Sequence, residues 1–333
     1  MNLKELAAEL NLSSSTISRV LNDKPGISEK TRKLVLEAVE RTGFSQNFSA
    51  QNLANPKARF IGVIGRKRGE QQDQLYFHHS MELFEEYFQA HNYQCINLGI
   101  VDDSVLELKE ILSGSPLGEN DFAGLIIRGQ SFPVKTILSL KARGIPIVLL
   151  ENKLQQTKID SVVCEDKETI YKLTNEMISR KYKKIIHITG PEEWYNNRER
   201  IRGYREAMKE AGMDDKVISL SDTTVDTGIE AFELIKEDLQ AHTGIIAAND
   251  AMAIGFTKAC REKGISIPDE LAITGFDDIP WAQHSYPPLT TAKVYIEEMS
   301  KLAASRLLQL METPDSRPVT IRVPADIILR DTI

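Results

Sequence analysis

The chain has 333 residues, 41% of them hydrophobic and 27% charged, with 13 prolines and 19 glycines; this excludes a fibrous repeat or a disordered chain, and the length predicts two or three domains. No apolar run approaches about 18 residues, and the N-terminal MNLKELAAEL has an acid and a base where a signal peptide needs an apolar core, so a cytoplasmic protein with no membrane contact is expected. The net charge of −7 is unevenly spread: residues 1–57 hold eight Lys or Arg against six acids, net +2, leaving −9 to the rest, which confines any contact with nucleic acid to the first 57 residues.

In chain order, Asn2 with Glu5 reads as a helix cap, followed by the apolar stripe Leu3, Leu6, Ala7 and Leu10. After a tight turn at Asn11-Leu12, Ser13 can cap a second helix whose Ile17, Val20 and Leu21 face inward, leaving Ser14, Ser15, Ser18 and Arg19 outward. Four short hydroxyls at one helix start compete with the backbone for hydrogen bonds, a poor choice for packing alone. Asp23 to Gly26 breaks the chain. Ser28 then caps a third helix with Leu34, Val35, Ala38 and Val39 at helical spacing up to Gly43. Three short helices with a tight turn between the first two make the helix-turn-helix plan.

From Phe60 apolar strands alternate with amphipathic helices. Strands are expected at residues 60–64, 94–98, 124–128, 146–151, 184–189, 216–220, 244–249 and 271–276, with helices near 81–90, 134–143, 167–180, 198–211, 227–239 and 251–263. Such alternation predicts an α/β fold of parallel sheets covered on both faces. The polar interruption Gln155 to Asp160 divides the strands into two sheets, with a ligand expected between the halves at the carboxyl ends of the strands. The last residues, VPADIILRDTI, read as a final strand.

The segments LKELAAELNLSSSTISRVLND, ISEKTRKLVLEAVERTGF and NFSAQNLAN resemble the DNA-binding headpiece of the LacI/GalR family. The likeness continues through RERIRGYREAM, AANDAMAIG, ITGFDDIP and YPPLTTAKV, so it spans essentially the whole chain. It implies a helix-turn-helix headpiece (1–46), a hinge helix and linker (47–58), and a two-lobed, periplasmic-binding-protein-like core (59–333) that binds an effector and dimerises. Carried onto this sequence, Ser14, Ser15, Ser18 and Arg19 would face base edges or phosphates. Arg19 is the principal reader, because a guanidinium can bond guanine twice. Thr16, Asn22, Ser28 and Thr31 would hold the DNA backbone. Asn47, Ala50 and Leu53 belong to the hinge, Leu53 being the wedge that opens a minor-groove base step. A nine-residue hinge helix is too short to be stable alone, since isolated helices below about 12 residues are marginal.

In the core, the resemblance assigns effector contacts to Glu151, Arg200, Asn249 and Asp277, with Asp250 expected to cap a helix and Asp278 a turn. Arg66 and Arg128 end or follow strands and are added as candidates. Arg66, Lys67, Arg68 and Arg128 together suggest an effector with negative charge, such as a sugar acid or sugar phosphate. Where the family has an aromatic, this chain has Thr223; Trp194, Tyr195 or Trp281 would have to supply the sugar-stacking face. Each of these charged residues also has a plain surface or salt-bridge reading.

No catalytic motif is present: no GxSxG, HExxH, GxxxxGK[ST] or strand-linked GxGxxG. Cys95, Cys164 and Cys260 are dispersed and odd in number, against a disulfide framework or a CxxC metal site. No metal and no cofactor is expected. The resulting expectation is a homodimeric, non-enzymatic regulator that represses carbohydrate-utilisation genes and leaves operator DNA when a sugar or sugar derivative binds. A corepressor-dependent regulator and a sugar-binding protein without DNA function are the alternatives.

Overall fold

The computed structural model describes residues 3–21, 27–42, 60–66, 72–101, 121–129, 134–154, 157–314 and 316–333. The first three helices are α1 (Leu3–Glu9), α2 (Ser14–Leu21) and α3 (Glu29–Thr42). Their packing follows from the apolar spacing: Leu6, Ala7, Ile17, Val20, Val35, Ala38 and Val39 are all buried in one small core. Leu34 is not part of it; 45% exposed, it corrects the expected inward face of α3. The caps on α2 and α3 form as expected. Ser13 Oγ accepts the Thr16 amide at 3.0 Å and Ser28 Oγ the Thr31 amide at 3.2 Å. The Asn2 cap lies outside the described residues.

The remaining strands and helices follow as β1 (Phe60–Arg66), α4 (Gln72–Ala90), β2 (Gln94–Val101), β3 (Phe122–Arg128), α5 (Val134–Ala142), β4 (Ile147–Leu150) and β5 (Asp160–Cys164). After them come α6 (Asp166–Ser179), β6 (Lys184–Thr189), α7 (Tyr195–Glu210), β7 (Val217–Ser219), α8 (Val225–Ile235), β8 (Thr243–Ala247), α9 (Asp250–Glu262) and β9 (Leu271–Thr274). The chain ends with β10 (Thr291–Lys293), α10 (Ile296–Glu312), β11 (Thr320–Val323) and β12 (Asp326–Ile328). The strands form a six-stranded sheet in the order β11-β5-β4-β3-β1-β2, a four-stranded sheet β7-β6-β8-β9, and a β10-β12 pair.

The chain divides into two compact units and passes between them more than once. Unit 1 comprises 1–67, 77–162 and 299–321; unit 2 comprises 68–76, 163–298 and 322–333. In unit 1, β1 to β5 pair in parallel, and every residue of β3 is buried, as a parallel sheet covered on both faces requires. In unit 2 all four strands of the second sheet are parallel. One of its faces packs Phe232 and Phe256 edge to face, with ring centroids 5.5 Å apart. The helices α8 and α9 approach closely because both carry glycine at the crossing. A Cβ on Gly228 would stand 2.2 Å from the Met252 carbonyl oxygen, and one on Gly255 would stand 2.0 Å from that of Val225.

Three strands, β5, β10 and β11, were not among the expected ones. Of the polar stretch Gln155 to Asp160, residues 157–159 are irregular and Asp160 is the first residue of β5, a strand that joins the first sheet rather than opening the second. Asp160 can be buried in a strand because its carboxylate has partners there: Arg306 Nε donates to its Oδ1 at 2.6 Å, and the same oxygen accepts the Val319 amide at 3.0 Å. This carboxylate joins α10 and the approach to β11 onto β5. The other unexpected strands, β10 and β11, and the expected final strand, β12, are only three or four residues long. Among the described residues no helix is long and apolar enough to cross a membrane.

Candidate DNA-reading and effector sites

The headpiece presents α2 as its reading element. Asn11, in the turn, adopts φ 51°, a conformation that asparagine tolerates better than most residues, and Ser13 closes the start of α2 through its hydroxyl. That hydroxyl also lies 2.7 Å from Ser15 Oγ and 2.8 Å from Thr16 Oγ1. Ile17 and Val20 anchor the inner face, which leaves Ser15 and Arg19 exposed, with Ser14 and Thr16 half-buried. Arg19 stands in the last turn. At the start of α3, Ser28 is exposed and Thr31 half-buried, their hydroxyls 2.8 Å apart. Lys33 pairs with Glu37 across one helical turn, both largely exposed, as a solvated face would have it. Asn22, Asn47, Ala50 and Leu53 lie outside the described residues, as does the side chain of Ser18.

In unit 2, Arg200 and Asp277 are brought together at the carboxyl ends of the parallel strands. Arg200, on α7, is 5% exposed. Its Nε donates to Asp166 Oδ1 at 2.7 Å, Nη1 donates to the Ala248 carbonyl just past β8, and Nη2 lies 4.0 Å from Asp277 Oδ1. Its guanidinium carbon rests 3.7 Å from the centre of the Phe276 ring. Burial opposes the charge, but the carboxylates of Asp166 and Asp277 outweigh it and raise the arginine's pKa. The result is a fixed cation flanked by two acids, with hydrogen-bonding groups of both kinds at one edge of a sheet. Such a mixed set suits a ligand rich in hydroxyls, each of which donates and accepts.

The expected roles of Asn249 and Asp250 as cap are exchanged. Asn249 is the N-cap of α9: its Oδ1 accepts the Met252 amide at 2.9 Å and its Nδ2 donates to the Thr223 carbonyl at 2.9 Å. Asp250 is fully buried, accepting the Ile279 amide at 2.9 Å and pairing with the Thr291 hydroxyl at 2.5 Å. Burial pushes its pKa up to about 7, against the lowering effect of those hydrogen bonds. Asp278 is paired with Arg330, Nη2 to Oδ1, at 2.7 Å.

In unit 1, Arg128 and Glu151 also meet: Arg128 Nε donates to Glu151 Oε2 at 2.5 Å. Arg128 is 8% exposed, and Glu151, just past β4, has φ 61°. Thus Arg128 is already matched by an acid. The side chain of Arg66 and residues Lys67 and Arg68 lie outside the described residues. Of the aromatics, Tyr195 is buried and accepts from Arg322 at 3.2 Å, Trp194 is half-buried, and Trp281 is 46% exposed.

Sequence reasoning missed Asp166, Phe276, Asp250 and Arg330 as parts of this site. Asp166 follows β5, which is not among the expected strands, so its placement had no frame. Arg330 comes from a segment distant in sequence, and no local pattern marks it.

A helix-turn-helix headpiece joined to two parallel-sheet units with polar groups at strand ends defines a ligand-responsive DNA-binding regulator. Residues 2–47 match "Bacterial regulatory proteins, lacI family" and residues 174–333 match "Periplasmic binding protein-like domain". The chain thus carries a LacI DNA-binding domain and a periplasmic-binding-protein-like domain, and the curated proteins that it resembles are LacI-family transcriptional regulators, which supports a DNA-binding regulator with a small-molecule effector. It is 28% identical to the probable HTH-type transcriptional repressor ExuR of Bacillus subtilis, covering 100% of this chain and 98% of that one. The fold is shared with the transcriptional regulator CelR in complex with cellobiose (TM-score 0.71, 22% identity, 100% of this chain and 99% of that one). It is shared too with the lac repressor dimer bound to operator and the anti-inducer ONPF (0.69, 21%, 100% and 98%).

Proposed function

We propose that the protein is a cytoplasmic, homodimeric repressor of carbohydrate-utilisation genes that leaves its operator when a sugar or sugar derivative binds. It carries out no catalysis. The observation that carries the effector reading is Arg200, fixed between Asp166 and Asp277 at the strand ends of unit 2; the likeness to a repressor in sequence supports the sign of regulation. The organisation is a headpiece over 1–46, a hinge over 47–58 and a core over 59–333. Ser14, Ser15, Thr16, Ser18, Arg19, Asn22, Ser28 and Thr31 contact DNA in the headpiece, and Asn47, Ala50 and Leu53 in the hinge. Arg200, Asn249 and Asp277 in unit 2, and Arg66, Arg128 and Glu151 in unit 1, contact the effector.

Release requires that the effector favour a state with lower operator affinity, and the coupling is reciprocal, of the order of 1 to 3 kcal/mol. The test measures binding of the purified protein to its own promoter fragment by fluorescence anisotropy, with and without neutral sugars and their uronic acids. Weakened binding with a sugar supports the inducer reading. Strengthened binding makes the sugar a corepressor. Absence of any promoter binding leaves only a sugar-binding protein and overturns the proposal. Because Glu151 already neutralises Arg128, an anionic effector depends on Arg66 and its neighbours; calorimetry in which only neutral sugars bind rejects it.

A further inference from the structure

Asp277 and Asp278 stand in a backbone conformation that L residues rarely adopt, with φ 116° and 55°. Such a conformation persists only where the surroundings impose it, and three constraints are visible. The Asp277 amide donates to the Ala292 carbonyl at 2.8 Å, and Val294 returns a bond to the Asp277 carbonyl at 3.4 Å. The Ile279 amide is taken by Asp250. The third constraint is Arg330, which grips the Asp278 carboxylate at 2.7 Å through Nη2.

Arg330 is itself well held. Its Nη1 donates to the Leu289 carbonyl at 2.7 Å. Its amide donates to Thr290 Oγ1 at 2.8 Å, and its carbonyl accepts from the same hydroxyl at 3.1 Å. The side chains of the Arg330–Asp278 pair are only 18% and 17% exposed, so water and salt screen it less than a surface pair. An arginine here offers a planar fork that satisfies a carboxylate and a carbonyl at once, which a lysine cannot reproduce.

We propose that Arg330 is a positioning residue of the effector site: by gripping Asp278 it fixes the backbone reversal that turns the Asp277 carboxylate toward Arg200. This rests on the reading of Arg200 and Asp277 as effector contacts. The acid pair thereby has a division of labour without catalysis, in which Asp277 faces the ligand and Asp278 is the handle by which it is aimed. A contact displaced by about 1 Å forfeits much of its value to a bound ligand.

The test uses the full chain with Arg330→Gln, Arg330→Lys and, as a control, Asp331→Asn at an exposed neighbour. Asp278→Asn removes the pair from the other side, should Arg330→Gln fail to fold. Two readouts are taken: amide hydrogen exchange of residues 276–279 against β8, and calorimetric binding of cellobiose, D-glucuronate and D-galacturonate. Arg330→Gln is expected to speed exchange at Asp277 and Ile279 at least tenfold with β8 unchanged, and to weaken whichever probe binds at least tenfold. Arg330→Lys should recover part of both, and Asp331→Asn should match the parent. Unchanged exchange over 276–279, equal acceleration throughout unit 2, or full probe affinity despite faster exchange overturns the proposal. If the parent binds none of the three probes, the effector reading loses support while the exchange pattern still decides whether Arg330 sets the loop.

Discussion

Arg200 and Asp166 form an ion pair sealed from water, Nε to Oδ1 at 2.7 Å, with side chains only 7% and 3% exposed. A pair in such a place gains little net stability over an apolar substitute, but removing one partner leaves an uncompensated buried charge. Asp166→Ala is therefore expected to destabilise the protein by about 3 to 5 kcal/mol, read from urea unfolding. Arg200→Lys keeps the charge while losing the fork that reaches Asp166 and the Ala248 carbonyl together. It is expected to fold and to lose at least tenfold in effector affinity, seen as a promoter complex no longer dissociated by the inducing sugar. Retained induction by Arg200→Lys contradicts the site.

Two buried groups of unit 2 give the protein opposing responses to pH. Asp250 has a folded pKa of about 7 against 3.8 unfolded, through burial. The folded state thus binds the extra proton, and the stability that this provides, complete below about pH 4, is lost as pH rises to 7. His187, on β6, has a folded pKa of about 4 against 6.5, again through burial. Its Nδ1 lies 2.8 Å from the Ile246 carbonyl, where the neutral ring donates. Here the unfolded state binds the proton, so stability is complete above about pH 6.5 and falls as the medium acidifies to 4. Between pH 4 and 6.5 the two slopes offset each other. Asp250→Asn is expected to leave a protein that weakens on acidification, and His187→Asn one that weakens on going from pH 4 to 7. Each change is a few kcal/mol and is checked by denaturant midpoints across that range. Identical pH profiles for the two variants contradict this assignment.

Periodicity and cap chemistry made most of this architecture legible. The three headpiece helices, the caps at Ser13 and Ser28, and eight central strands all have local signals that survive folding. What escaped was held by partners far away in sequence. Asp160 looks like a loop residue until Arg306 is placed beside it, and Asp166 acquires meaning only once Arg200 arrives from α7. The helix α10 did carry a readable stripe, with Met299, Ala303, Ala304, Leu307 and Leu310 all buried, and was overlooked. At the site, Arg200 meets Asp277 and Arg128 meets Glu151, pairings across the sequence that no local pattern announces, whereas the cap at α9 fell to Asn249. An asparagine at the residue before the helix is an equally good cap, and spacing alone does not separate it from the aspartate that follows.

The crossing of α8 and α9 offers a test of packing independent of ligand. Gly228 faces the Met252 carbonyl and Gly255 faces that of Val225, both at distances where a Cβ would collide with main chain. Main-chain atoms cannot rotate aside as a flexible side chain can, so the helices must separate. Gly255→Ala is expected to cost about 1 to 3 kcal/mol or more, the range for overpacked cores. Gly212→Ala has open space around it and acts only through its φ of 66°; it should cost about 1 to 2 kcal/mol. Urea unfolding of both variants measures the difference. A Gly255→Ala protein as stable as the parent shows that the helices are less tightly apposed.

On DNA, Arg19 and Thr31 should fail in different ways. Arg19 projects from the last turn of α2, exposed, while Ile17 and Val20 on the opposite face lock the helix into the headpiece. A guanidinium held there can bond both acceptors of one guanine, so Arg19→Ala is expected to lose about 1 to 3 kcal/mol on the native operator. Much less is lost on an operator already changed at that base pair, so the variant's preference flattens at one position. Thr31, tied to Ser28 at the start of α3, is assigned to the backbone, and contacts of that kind carry no sequence information. Thr31→Ala should therefore weaken all operator sequences by the same factor. Anisotropy titrations of both variants against the operator and its single-base substitutions separate the outcomes. If Arg19→Ala lowers affinity equally for every sequence, Arg19 is a phosphate contact and the base reading must come from elsewhere on α2.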